Sequence, residues 1–149
     1  ILLGEMRDYE TINIAMTAAE TGHLVFSTLH TVGAVKTIDR IIDAFPPAQQ
    51  GQIRIQLSMT LQAVVSQQLI PTVDGHLVPE IMLCNSAVSN MIRESKIHQI
   101  ETVIFSSSGE GMLSMDASIL DLYKKGIISA QNAISYSTSP DLMAKKLAR

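Results

Sequence analysis

Two short apolar segments, separated by a segment of helical character, constrain this chain more than any other feature. Residues 1–3 are apolar, and residues 23–29 form a second run that is apolar through its middle. Between them, Asp8 is a suitable N-cap for a helix that continues to Glu20, and Gly22 tolerates the positive φ that often follows a helix. Strand, helix and strand at this spacing predict a βαβ unit, with a parallel sheet that is buried on both faces. The predicted fold class is therefore α/β.

The remaining segments divide into a sheet-containing part and a helical part. Asp74-Gly75 is a typical hairpin turn, because both of its residues tolerate positive φ. The sequence predicts helices over 35–45 and 48–68, hairpin strands over 68–73 and 76–83, and short helices over 87–94, 98–105, 118–125, 130–137 and 141–147. We therefore expect the sheet-containing part of a domain at residues 1–85, followed by a helical C-terminal region at residues 86–149.

Composition excludes several classes of protein. With 149 residues, 46% hydrophobic content and a net charge of -3, the chain can bury one sizeable core and has no basic patch suited to nucleic acid. Its apolar runs are far shorter than the roughly 20 residues that span a bilayer. Cys84 is the only cysteine, which excludes an internal disulfide and fits a reducing cytosol. Four C-terminal apolar residues are expected to pack in the core rather than bind a partner: Met112, Met115, Leu120 and Leu122.

Glu5 follows the first apolar segment, at the expected carboxyl end of a strand. An acid in this position is suited to organise Mg²⁺ and an attacking water, as nucleotide hydrolases require, although a surface acid that merely ends a strand fits equally. Arg7 is either a phosphate-stabilising group or a local ion-pair partner. Asp8 is most simply a helix cap.

Two histidines flank the second apolar segment. Ligands bind beyond the carboxyl ends of parallel strands, so we expect His30 on the same edge as Glu5 and His23 on the opposite edge. An imidazole beside Glu5 is suited to hydrogen-bond a γ-phosphate, whereas a structural role is the ordinary alternative. Arg40 and Arg54 are either phosphate-sensing residues or solvated surface arginines.

Several catalytic motifs are absent from these 149 residues. There is no G-x-x-x-x-G-K-[ST] phosphate loop, no G-x-S-x-G, no H-E-x-x-H and no metal-spaced Cys/His cluster. No self-contained catalytic set can be assembled from the residues present. We therefore interpret the chain as the back part of an ATPase, and expect that it hydrolyses no ATP on its own.

Four segments together carry a family resemblance: residues 2–8, residues 21–31, residues 37–46 and residues 61–67. The first is similar to the end of a Walker B motif, and the second matches a His box almost position for position. Together they resemble the secretion-ATPase superfamily, specifically the type IV pilus retraction (PilT-like) ATPases. The resemblance covers essentially the whole chain, as the C-terminal half of such a protein.

The resemblance implies a hexameric ring ATPase that uses ATP and Mg²⁺ in a RecA-like P-loop domain, followed by the helical C-terminal region. It makes Glu5 the Walker B glutamate, associated indirectly with Mg²⁺, while the main catalytic glutamate of the family's Asp box is not in this chain. It makes His30 the γ-phosphate sensor and His23 its partner. The residues that it places at the nucleotide or the subunit boundary are Gly4, Glu5, Arg7, Thr28, His30, Arg40 and Arg54.

Two details favour the retraction type. Secretion and pilus-extension ATPases usually carry a four-cysteine insertion after the segment that matches residues 67–69, and this chain has only a short turn. Residues 87–94 resemble the retraction motif Ala-Ile-Arg-Asn-Leu-Ile-Arg-Glu, with Ser89 in place of its first arginine. The motif residues kept are Asn90, Ile92, Arg93 and Glu94.

The same resemblance implies a cytoplasmic homo-hexamer, peripheral to the inner face of the cytoplasmic membrane, that acts on an inner-membrane pilus platform protein. Two alternatives remain open from the sequence. One is a type II secretion or pilus-extension ATPase, and the other is a non-catalytic interaction module.

Overall fold

The computed structural model describes residues 1–72 and 75–148. The helices and strands that it contains follow one another in a simple order. They are α1 (Tyr9–Glu20), α2 (Ala34–Asp43), α3 (Pro47–Thr60), β1 (Ala63–Ile70), β2 (His76–Leu83), α4 (Ser86–Arg93), α5 (Ile100–Ser106), α6 (Met115–Lys124), α7 (Ala130–Tyr136) and α8 (Pro140–Leu147), with one-turn 3-10 helices at Ile97–Gln99 and Ser108–Glu110.

The predicted strand–helix–strand unit is present and its two extended segments are parallel. Leu2 and Phe26 form a parallel bridge, and the Leu3 and Met6 amides donate to the carbonyls of Phe26 and Thr28 at 2.8 and 2.9 Å. Helix α1 begins as predicted, because the Oδ1 atom of Asp8 accepts the Thr11 amide at 2.8 Å. The pairing aligns the carboxyl ends of both segments at one edge.

The prediction that this sheet is buried on both faces is wrong for the described residues. Leu2 is 85% exposed and Phe26 is 60% exposed, and Leu24 is exposed beside them. The pairing is an isolated bridge rather than a full ladder. No layer of the described residues packs on that face, so these apolar side chains stay exposed there.

The prediction of one long helix over residues 48–68 is also wrong. Helix α3 ends at Thr60, and Leu61 turns into extended backbone. The apolar spacing of Ile53 and Leu57 continues to Leu61 and Val64, which made the helix plausible. From Ala63 onward, however, burial alternates between the two faces, because pairing with β2 outweighs the local pattern.

The predicted hairpin is confirmed, with a longer first strand. β1 and β2 pair antiparallel from Ala63 opposite Leu83 to Ile70 opposite His76. Gly75 has a φ of 66°, the left-handed conformation that the sequence predicted at this position. Val73 and Asp74, the other part of the predicted turn, lie outside the described residues.

Two hydrophobic cores meet along the hairpin. The first joins buried side chains of α1 to α5 to Val64 and Met82 at the open end of the hairpin. The second joins buried side chains of α6, α7 and α8 to Ile70 and Val78 near its tip. Because α4 and α5 contribute to the first core, the cores do not separate at residue 85. The division into parts 1–85 and 86–149 stays a prediction.

The C-terminal apolar residues pack as expected. Met112 is buried in the first core and Met115 in the second. Leu120 and Leu122 are half-buried against the second core. None of the described helices combines the length and the apolarity needed to cross a membrane.

Replacing a buried isoleucine should measure how much the first core stabilises the fold. Ile92 is 0% exposed, whereas Ile14 is 59% exposed on α1. We expect Ile92→Ala to lower the free energy of unfolding by about 2–5 kcal/mol, since it removes buried methyl groups and leaves a cavity. Ile14→Ala, the matched control, should change it by less than about 0.5 kcal/mol. Urea unfolding measures both values, and an equal decrease in the free energy of unfolding of the two variants would contradict this packing.

Candidate functional site

Glu5 and His30 meet at the carboxyl edge of the parallel segments. The Oε2 atom of Glu5 lies 2.7 Å from the Nε2 atom of His30. The Oγ1 atom of Thr28 donates to the Gly4 carbonyl at 2.7 Å, which ties the two segments together just before the site. Thus the parallel pairing brings together two side chains that are 25 residues apart.

Glu5 is an ionised carboxylate with two side-chain partners at this edge. Its Oε1 atom pairs with the Nε atom of Arg7 at 2.7 Å, while Oε2 is engaged by His30. The hydrogen bond from His30, and then that from Arg7, hold the pKa of Glu5 below its ordinary value of 4.5. Since the Glu5 side chain is only 35% exposed and each carboxylate oxygen can accept a further hydrogen bond, Glu5 can orient a water while it stays ion-paired.

The described residues do not form a complete metal site. No group of three or more His, Cys, Asp or Glu side chains among them is placed to hold a metal ion. Both oxygens of Glu5 already have protein partners. The indirect role of Glu5 at a Mg²⁺ ion therefore stays a prediction.

Arg40 lies next to Arg7, whereas Asp8 does not contribute to the cluster. The Nη2 atom of Arg40 donates to the backbone carbonyl of Arg7 at 3.4 Å, and both arginines are exposed. Asp8 caps α1, and the Thr11 amide lowers its pKa. The edge therefore presents one carboxylate that is paired with an imidazole and one guanidinium group, and a second guanidinium lies beside the Arg7 backbone.

Among the described contacts, His23 and Arg54 form no hydrogen bond or ion pair with Glu5 or His30. The Nδ1 atom of His23 lies 3.2 Å from the Ala18 carbonyl and 3.2 Å from the Thr21 hydroxyl, so its ring binds the end of α1. Arg54 is half-buried on α3, and its guanidinium makes no ion pair or hydrogen bond with the described residues. Their predicted roles remain predictions.

The residues that match the retraction motif divide by burial. Ile92 is buried in the first core, so it packs rather than binds a partner. Asn90 is exposed, and Arg93 is exposed with its Nη2 atom 3.5 Å from the Ser58 hydroxyl. Glu94 pairs with Lys96 at 2.6 Å, which lowers the pKa of Glu94.

Sequence reasoning missed Ser66 and Glu80, which hold the loop after His30. The Gly33 amide donates to the Ser66 hydroxyl at 2.7 Å, and the Ala34 amide donates to Glu80 at 2.8 Å. A signal was available, because alternation along β2 places Glu80 on the same inward face as Val78 and Met82. A charged residue on that face requires partners.

The comparisons with known proteins point in one direction. The sequence model of the family described as type II/IV secretion system protein matches residues 1–102. The chain is 52% identical over 136 residues to a twitching motility protein of Neisseria gonorrhoeae, covering 89% of this chain and 36% of that protein. It is 48% identical over 143 residues to the type IV pilus retraction ATPase PilT of Pseudomonas aeruginosa, covering 95% of this chain and 42% of that protein.

A solved structure is similar as well. The crystal structure of the pilus retraction motor PilT with bound ADP matches with a TM-score of 0.85 and 43% identity, over 95% of this chain and 40% of that one. The α/β fold class is thus confirmed. The chain spans less than half the length of the relatives that it matches.

Removing the His30 imidazole should shift the titration of Glu5. We expect His30→Ala to raise the pKa of Glu5 toward 4.5, since the His30 hydrogen bond is the main cause of the lowering. Carbon NMR of the Glu5 carboxyl group would measure it. His98→Ala, which removes an exposed imidazole elsewhere, is the matched control and should leave that pKa unchanged.

The pH dependence of stability follows from the same shift. Because the pKa of Glu5 is lower in the folded chain, its contacts stabilise the fold above about pH 4.5 and lose that effect as the pH falls through the folded value. An unchanged Glu5 pKa in His30→Ala would show that the contact does not stabilise the carboxylate in solution.

Proposed function

The chain belongs to the type II/IV secretion system protein family, and from this premise we propose that the protein of which it forms a part is an ATP-hydrolysing motor of type IV pilus retraction. The observation that carries the proposal is the 2.7 Å contact between Glu5 and His30. Both residues lie inside the segment matched by the family. The similarity to a twitching motility protein and to a retraction ATPase supports retraction as the process.

In the proposed site, Glu5 holds and orients the attacking water, and His30 contacts the γ-phosphate of ATP. Since Nε2 of His30 is engaged by Glu5, Nδ1 is the ring atom left for a phosphate oxygen, and donating to both requires a proton on each nitrogen. Arg7 and Arg40 add positive charge at the same edge, which stabilises charge that develops on a transferring phosphoryl group. Mg²⁺, when bound, would neutralise phosphate charge, and Glu5 is the residue that would hold it, through a water.

Two features support a sheet that is completed by further polypeptide. A cleft of 1250 Å³ is lined by residues 22–32 and 59–67, beside α1. Within it, the Ser27 hydroxyl is buried and has no hydrogen-bond partner among the described residues. A buried hydroxyl without a partner is costly, so we expect a further polypeptide segment to fill the cleft and to bind this hydroxyl.

The short hairpin turn favours retraction over the alternative of a type II secretion or pilus-extension ATPase. β1 ends at Ile70 and β2 begins at His76, which leaves five residues between them and no room for a four-cysteine insertion. The exposed motif residues Asn90, Arg93 and Glu94 are the ones available to a partner. We propose a homo-hexamer on the cytoplasmic face of the inner membrane, acting on a pilus platform protein.

The site assignment is tested in the full-length protein. We expect the double variant Glu5→Ala/His30→Ala to lower kcat for ATP by at least about 100-fold, because it removes groups that act on the attacking water and on the transferring phosphate. His98→Ala should hydrolyse ATP like the wild type. Near-normal turnover in the double variant, with the protein folded, would sink the assignment.

The direction of the motor is tested in cells. If the protein drives retraction, deleting its gene should leave cells with excess surface pili and without twitching motility. Counting surface pili per cell by electron microscopy separates retraction from extension. Cells that lack pili altogether would assign the protein to extension instead.

A further inference from the structure

Glu80 is a buried carboxylate between the two hydrophobic cores. It is 6% exposed and lies opposite Ser66 in the register of the hairpin. On either side of it, Met82 belongs to the first core and Val78 to the second. No Lys, Arg or His of the described residues forms an ion pair with it. A buried carboxylate needs other donors, and here they are backbone amides.

One oxygen of Glu80 binds the start of α2. The Ala34 amide donates to Oε1 at 2.8 Å, and the preceding Gly33 amide donates to the Ser66 hydroxyl at 2.7 Å. Gly33 is the N-cap residue, has a φ of 89° and has no side chain that can cap its own helix. The hairpin therefore supplies the cap that this helix lacks.

The start of α2 is in turn connected to His30. The Thr37 hydroxyl donates to the Gly33 carbonyl at 2.9 Å, and it lies 2.8 Å from the Thr31 hydroxyl. Thr31 directly follows His30. The loop that carries His30 to Glu5 is thus fixed by hydrogen bonds to the same helix start that Glu80 holds.

The other oxygen of Glu80 binds the start of α6. The Met115 amide lies 3.3 Å from Oε2, and two further contacts attach this region to β2. Leu113 exchanges backbone hydrogen bonds with Ile81 at 2.8 and 2.9 Å, and the Ser118 hydroxyl donates to the Pro79 carbonyl at 2.7 Å. Helix α6 is the first helix of the second core.

We propose that Glu80 is a positioning residue that couples the loop carrying His30 to α6, so that nucleotide at the Glu5–His30 edge changes the attachment of α6–α8. The two oxygens belong to one rigid planar group, and each is bound to the positive end of a different helix. A shift of the α2 start therefore turns the carboxylate and acts first on the longer bond, the 3.3 Å contact with Met115. This coupling rests on the proposed function of that edge.

Hydrogen exchange on the wild-type full-length protein tests the coupling without any variant. A non-hydrolysable ATP analogue with Mg²⁺ should change the exchange of peptides that cover residues 31–37 and also of peptides that cover residues 113–118. A change confined to 31–37 would overturn the coupling and leave the proposed function intact. Absence of analogue binding would overturn the proposed function, and the coupling with it.

Glu80→Gln tests the same idea kinetically, with Asp116→Asn as the matched control. An amide keeps one acceptor oxygen and turns an NH2 group toward the second helix. Asp116 is a carboxylate of α6 that accepts the Thr138 amide at 2.7 Å and forms no hydrogen bond or ion pair with a described residue of α2. We expect Glu80→Gln to lower kcat about tenfold with KM for ATP nearly unchanged, the scale of one lost charge-assisted hydrogen bond, and to abolish the exchange change at 113–118. Asp116→Asn should leave kcat and the nucleotide-dependent exchange change at 113–118 unaltered.

A double variant separates positioning from mere structural support. If Glu80 acts through His30, Glu80→Gln should lower kcat no further when His30→Ala is already present, since the two effects share one path. Additive losses, or a Glu80→Gln protein with wild-type kcat and wild-type exchange at 113–118, would overturn the proposal.

Discussion

A single buried carboxylate, that of Glu80, satisfies the first amides of two helices that belong to different hydrophobic cores. Its oxygens lie 2.8 Å from the Ala34 amide and 3.3 Å from the Met115 amide. Helix starts leave backbone donors without intrahelical partners, and a buried carboxylate lacks water. In the centre of β2, the carboxylate of Glu80 accepts these amides, and the amides replace the water that the carboxylate lacks. The hairpin can therefore serve both cores at once, with the polar pair Ser66 and Glu80 between two apolar ends.

The edge that carries Glu5 and His30 depends on a second contact, which is independent of Glu80. Parallel pairing of residues 1–3 with residues 24–28 sets the carboxyl ends side by side, which brings Glu5 and His30 together. The loop after His30 then enters α2, whose start is held by the hairpin. The position of the imidazole is therefore fixed from both ends: by the sheet segment before it and by the helix cap after it.

Some of this arrangement is visible in the sequence and some is not. Local rules predict that Asp8 caps α1 and that Gly22 has a positive φ after it. The parallel βαβ arrangement predicts that Glu5 and His30 lie at the same edge. The end of α3 does not, because Leu61 and Val64 extend the helical spacing and only pairing with β2 decides otherwise. Glu80 is hidden for another reason. Its partners are backbone amides 46 and 35 residues away, and an amide donor leaves no mark in the sequence.

The open edge beside Leu24 and Phe26 determines how this stretch of polypeptide behaves when it is expressed by itself. An extended segment that pairs on one side, with apolar side chains exposed, is a template for strand addition by a second molecule. We expect self-association at high concentration to compete with folding, independently of how well the two cores pack. A lysine at an exposed edge position discourages such pairing, so Leu24→Lys is the substitution that would favour a monodisperse preparation.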